Sequence, residues 1–125
     1  MNQTDSLGQF EQLVLSAIVT LGDKAYGVTI QEMVEQLADR KPASPGAVYV
    51  TLDRLEDKGL VRSWLADPTP ERGGRRKRYY EVQTAGERAL AESLRAALRM
   101  VEAVEDSLDG IHIPGRKRWK PVRQG

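Results

Sequence analysis

The chain has 125 residues, 40% of them hydrophobic and 30% charged, which suits one domain with a small core and is too short for a multidomain enzyme. With no cysteine and a single histidine, His112, it excludes disulfide scaffolds, thiolate zinc sites, iron–sulfur clusters and cysteine nucleophiles, and leaves almost no basis for a histidine metal cluster. The formal net charge is +1, the remainder of 19 Lys and Arg against 18 Asp and Glu, and it says little about partners until it is divided along the chain.

Met1 to Phe10 lacks the basic and apolar regions of a signal peptide. The longest apolar stretch, Leu13 to Leu21, is interrupted by Ser16 and Thr20 and falls far short of the roughly 20 residues that span a bilayer. A cytoplasmic chain without membrane contact is expected. Phe10, Leu13, Val14, Ala17, Ile18 and Leu21 recur at the spacing of one helical face and predict a first core helix. Gly22 to Gly27 breaks it, and a second helix comes next with Ile30, Met33, Val34 and Leu37 inward. After the turn Lys41–Pro45, Ser44 is placed to cap a third helix and Pro45 to begin it. That helix runs to about Lys58 with Val48, Leu52 and Leu55 inward, and Gly59 stops it.

The period then changes. Leu60–Ala66 and Arg78–Gln83 are rich in strand formers, and the Pro- and Gly-containing stretch between them suits a hairpin tip. Three helices and a two-stranded ribbon describe a winged helix-turn-helix, a mainly α (α+β) fold. A small α+β domain of no particular function is the competing description. Thr84 and Glu87 form a capping-box pattern that opens a fourth helix. Leu90, Leu94, Ala97, Val101, Val104 and Leu108 then trace a heptad seam along it, which a helix of this length cannot bury alone, so a homodimer is expected. The organisation read from sequence is a winged-helix domain over 7–83, a dimerisation helix over 84–109 and a basic, mobile tail over 110–125.

Divided along these segments, the charge is uneven. Residues 1–44 carry three bases and six acids, 45–80 eight and five, 81–109 three and seven, and 110–125 five and none. Positive charge is concentrated in the third helix with the ribbon, and in the tail. In a helix-turn-helix the N-terminal residues of the reading helix enter the major groove of double-stranded DNA. With its inner face assigned, Ala47, Val50, Thr51 and Arg54 are expected outward, where Val50 can meet thymine methyls and Thr51 a base or phosphate. A tolerated surface valine is the plainer reading of Val50. Tyr49 lies beside the inward stripe, with its ring packed and its hydroxyl within reach of a phosphate, or else as an ordinary core tyrosine. At the hairpin tip Arg72, Arg75, Arg76, Lys77 and Arg78 provide five bases in seven residues around Gly73-Gly74, although strand alternation prevents all five from meeting one backbone. Trp64 is assigned to packing at the base of the wing, and the tail bases with Trp119 to nonspecific affinity at most.

Tyr26-Gly27, the run Ser44–Val61 and the run Gly73–Gly86 together resemble the PadR family of bacterial transcriptional regulators, over about residues 7 to 108. The resemblance implies a homodimeric winged-helix repressor in which the third helix, capped by Ser44, reads the major groove, the wing grips the backbone and the C-terminal helix dimerises. It also implies control by a small-molecule effector, and the short helix resembles the branch with a one-helix C-terminal part. Ala47 and Val48 stand where Thr and Leu are more usual, and the C-terminal helix has no tryptophan, so the aromatic drug site of some relatives is not implied.

Two other classes compete. A winged-helix protein-interaction module would present the same apolar helix to a protein, but does not need the basic wing. An enzyme is poorly supported: one histidine in the tail offers no positioned base, no phosphate-binding Gly loop joins a strand to a helix, and no cofactor is called for.

Overall fold

The computed structural model describes residues 7–67 and 76–108. Its elements are α1 (Gln9–Leu21), a 3-10 turn (Gly22–Lys24), α2 (Gly27–Leu37), α3 (Pro45–Asp57), β1 (Val61–Leu65), β2 (Arg78–Val82) and α4 (Thr84–Ser107). The fold is the winged helix expected, mostly helical with one two-stranded antiparallel sheet. The wing tip and the basic tail lie outside the described residues.

α1 is the element on which the others pack, meeting α2, α3 and β2. That explains why its buried arc is wider than one stripe: Leu15 is buried together with Val14, Ala17 and Ile18, while Phe10, Leu13 and Leu21 are only partly covered. Its first turn is closed by Glu11, whose Oε1 accepts the Gly8 amide at 2.9 Å while Oε2 receives Lys58 Nζ at 2.9 Å. Lys58 is the residue that ends α3, so one carboxylate ties the start of α1 to the end of α3.

α2 begins at Gly27 with Thr29 Oγ1 accepting the Tyr26 amide at 3.0 Å and donating to the Lys24 carbonyl at 2.6 Å. Ile30 and Val34 are buried, but Leu37, expected inward, is 45% exposed because the helix ends there, past the reach of the core. The chain then reverses through Asp39 and Arg40 at φ 59° and 66°, a left-handed conformation unusual for residues with a side chain. Two α2 side chains fix the approach to α3: Gln31 Nε2 donates to the Ala43 carbonyl and Glu35 Oε2 accepts the Ala43 amide, each at 2.9 Å. Ser44 Oγ then accepts the Ala47 amide at 3.0 Å and Pro45 opens α3, as the sequence predicts.

The ribbon pairs Val61 with Val82, Ser63 with Tyr80 and Leu65 with Arg78. On its other edge β2 is held by a bridge between Tyr26 and Tyr79 and by the Tyr80 amide donating to the Ala25 carbonyl at 2.9 Å. Both edges of β2 are thus paired, one by β1 and one by the segment that leads into α2. α4 begins at Thr84, with the Gln83 carbonyl accepting the Glu87 amide at 2.9 Å, so Gln83 and not Thr84 holds the cap position. Gly86 lies in its first turn with its Cα against the Leu60 carbonyl, leaving no room for a side chain.

The chain forms two compact units, Met1–Ser93 and Leu94–Gly125. The division falls inside α4 and not at its start, because Leu90 joins the first unit's core and Ser93 Oγ bonds to Gln12 Oε1. Among the described residues no helix is long and apolar enough to cross a membrane.

Gly86→Ala is expected to lower stability by about 1–3 kcal/mol, since a Cβ would overlap backbone and not a mobile side chain end, and thermal melting checks this. At Glu11, burial raises the carboxyl pKa, but the Gly8 amide and the charges of Lys58 and Arg54 outweigh it and hold the group below its ordinary 4.5. Its stabilisation is therefore complete above the ordinary value and lost as pH falls through the lowered one. Glu11→Gln should lose about 1 kcal/mol at pH 7, a figure reduced for the partial exposure of Lys58, and its deficit against the wild type should vanish on acidification.

Candidate nucleic-acid interface

The inner face of α3 is formed by Val48, Leu52 and Leu55, all fully buried. Opposite them Ala47, Val50 and Arg54 are exposed, Val50 by 55%, so the methyl-bearing surface expected at the start of this helix is present. Thr51 is a correction. It is 4% exposed, not outward, and belongs to the core side of α3. The helical step explains this: three residues after Val48 and four before Leu55, Thr51 lies only about 60° and 40° from them, on the flank of the buried arc. The spacing of these three residues already contains that arithmetic.

Ser44 is exposed, and its hydroxyl serves as the cap of α3. Tyr49 is half exposed and lies over the first residue of α2: a Cβ on Gly27 would overlap the Tyr49 hydroxyl and sit 2.8 Å from its Cζ. The Tyr26-Gly27 pair thus has a local cause, because only glycine lets this ring rest against the helix start.

In the wing, Arg72 and Arg75 lie outside the described residues. Each of the next three bases has a partner in the protein. Arg76 Nη2 stands 3.7 Å from Asp67 Oδ1, Lys77 Nζ sits 3.8 Å above the Tyr26 ring, and Arg78 Nη1 donates to Ser63 Oγ at 2.9 Å. Lys77 and Arg78 make these contacts on opposite faces of the ribbon, as alternation requires. On the Lys77 face Tyr79 meets Tyr26 edge-on at 5.3 Å and stacks with Trp64 at 6.2 Å, and Arg62 covers the indole at 4.6 Å while bonding Glu81 at 2.8 Å. Trp64 therefore packs within the ribbon against Tyr79 and Arg62 while remaining 38% exposed. On the other face Tyr80 is buried, which raises its phenol pKa and keeps it neutral. The aromatic ladder is not foreseen by sequence patterning, although Tyr26, Trp64 and Tyr79 are all visible in the sequence. What brings them together is the bridge to the segment before α2.

Along α4 the expected seam divides. Leu90, 7% exposed, belongs to the hydrophobic core of the chain itself, a correction to its expected place in an exposed seam. Leu94, Val104 and Leu108 are exposed, and Ala97 and Val101 half-buried. Leu98 and Met100 are also exposed apolar residues that a strict heptad leaves out. Among the described residues no group of three or more His, Asp or Glu side chains could hold a metal ion.

Residues 14–92 match the family model described as the transcriptional regulator PadR-like family. No curated protein matches the chain. Among solved structures, a PadR family transcription regulator from hypervirulent Clostridium difficile R20291 is 27% identical with a TM-score of 0.61, over 80% of this chain and 97% of that one. The PadR-like transcriptional regulator of Bacillus cereus strain ATCC 14579 is 21% identical with a TM-score of 0.64, over 81% and 92%. BpsR of Bordetella bronchiseptica, whose DNA binding is regulated by 6-hydroxynicotinic acid, is 16% identical with a TM-score of 0.62, over 87% and 73%. The chain belongs to the PadR-like family of transcriptional regulators, proteins that act by binding DNA.

Because Thr51 is inside, Thr51→Ala is expected to lower stability by about 1–2 kcal/mol while leaving the base preference of the protein unchanged. Thermal melting and selection of bound duplexes with the variant check the two halves separately.

Proposed function

We propose that this protein is a sequence-specific repressor that binds an inverted-repeat operator as a homodimer. The observation that carries the reading is the exposed face of α3, where Ala47 and Val50 near its start form a methyl-bearing surface and Arg54 in its last turn adds a cation, on a helix capped by Ser44. Val50 and Ala47 suit contact with thymine methyls, Arg54 suits a guanine edge or a phosphate, and the Tyr49 hydroxyl suits a phosphate. Arg72, Arg75, Arg76 and Lys77 are the wing residues proposed to meet the backbone, with Arg76 exchanging its long, exposed contact to Asp67 for a phosphate. The bland face of a protein-interaction module is disfavoured by the family and by this concentration of bases.

The dimer is proposed to form through α4. An exposed run of Leu94, Leu98, Val104 and Leu108, with Val101 between, is a contiguous apolar surface that a second copy can bury. Two-fold symmetry then presents two reading helices to half-sites about one helical turn apart. Release by a small molecule is part of the proposal, supported by the regulated DNA binding of BpsR.

Selection of bound sequences from random duplex DNA tests the reading, with an inverted repeat as the expected result and recovery of no preferred sequence as the result against it. In the same assay Leu94→Glu and Val101→Glu should sediment as monomers and lose binding by orders of magnitude, because a carboxylate in the seam would be buried unpaired. A variant that remains dimeric would remove α4 from the interface.

A further inference from the structure

Arg78 stands in the basic run of the wing, yet its guanidinium is engaged by the protein itself. Nη1 donates to Ser63 Oγ at 2.9 Å, and that hydroxyl faces the Glu56 carboxylate, with oxygens at 3.0 and 2.9 Å. A hydroxyl has one proton and two lone pairs, so Ser63 gives its proton to the carboxylate and keeps a lone pair for the guanidinium. Each of its two bonds is strengthened by a full charge at the far end. The three residues come from three elements: Glu56 from the last turn of α3, Ser63 from β1 and Arg78 from β2. The register makes this possible, since Ser63 opposite Tyr80 and Leu65 opposite Arg78 set Ser63 and Arg78 diagonally on one face of the ribbon, the face toward α3.

We propose that Arg78 is a positioning residue that holds the wing at a set angle to the reading helix through Ser63 and Glu56, and that it contacts no phosphate. Glu56 and Arg78 are exposed and Ser63 is half-buried, so the relay adds little to global stability, and its effect is local. A ribbon already tied to α3 loses less freedom when it meets DNA than one that must be ordered at that moment. The neighbouring bases differ in this respect. Among the described residues Arg76 makes one long contact to a nearly fully exposed carboxylate, and Lys77 lies on the opposite face.

This inference rests on the DNA-reading assignment, and the test separates the two. Without DNA, Ser63→Ala and Arg78→Ala should each accelerate hydrogen exchange of the β1–β2 amides while the melting temperature stays near that of the wild type. With a duplex selected by the wild-type protein from a random pool, each variant should lose about 3- to 10-fold in affinity. The double variant should lose no more than either single one, because both break one relay. The slope of log affinity against log salt should be unchanged throughout. If Arg78→Ala lowers that slope by about 1, Arg78 is a phosphate contact and the inference falls. Wild-type exchange and affinity in Ser63→Ala overturn it equally. Should the wild type select no duplex, the DNA-reading assignment fails, and the exchange result still decides the tether.

Discussion

Burial of one face of α3 is the constraint on which the rest of the molecule depends. With Val48, Leu52 and Leu55 fully excluded from water and Thr51 nearly so, the helix cannot rotate about its axis without exposing several apolar side chains. That rotation decides what it shows outward: Ala47, Val50 and Arg54 are displayed because their neighbours are hidden. Polar contacts at both ends stop the helix from sliding. Gln31 and Glu35 grip the backbone of Ala43 before it, and Glu11 grips Lys58 after it. A chain reversal through two left-handed, non-glycine residues persists between α2 and α3 because the grip on Ala43 over-determines it.

The wing is attached to this frame by the same logic. β2 is paired on both edges, with β1 on one side and the segment before α2 on the other. Its two faces do different work, one carrying the aromatic ladder of Tyr26, Tyr79 and Trp64 and the other the polar link from Arg78 through Ser63 to Glu56. Among the described residues Arg76 faces Asp67, Arg62 bonds Glu81, and Arg78 reaches Glu56 through Ser63, so part of the wing's charge is answered within the fold.

Most of the architecture could be read from the sequence. Helical spacing places α1, α2 and α3, Ser44 and Pro45 mark the start of α3, and the change of period after Gly59 marks the ribbon, because each of these depends on residues close in sequence. The candidate site was legible in part. Ala47, Val50 and Arg54 face outward as spacing predicts, whereas Thr51, expected outward, lies on the buried face where its distance from Val48 and Leu55 puts it. Leu90 and Leu37 show a different limit: a periodic stripe says which face is apolar, not how far along the helix the core extends. Leu90 is absorbed into the chain's own core, and Leu37 lies past the end of the contact.

What the sequence determined by itself is the set of elements, their amphipathic faces and the family to which the chain belongs, since local propensity, capping and hydrophobic period act over a few residues. Only the tertiary structure decided which partners the described bases have within the fold. The partners of Lys77, Arg78 and Lys58 come from residues 51, 15 and 47 positions away, and no local rule pairs them. A run of cations reads as uniform in sequence because spacing records charge and not direction. Folding gives Arg76, Lys77 and Arg78 each a different partner, and sets Lys77 and Arg78 on opposite faces.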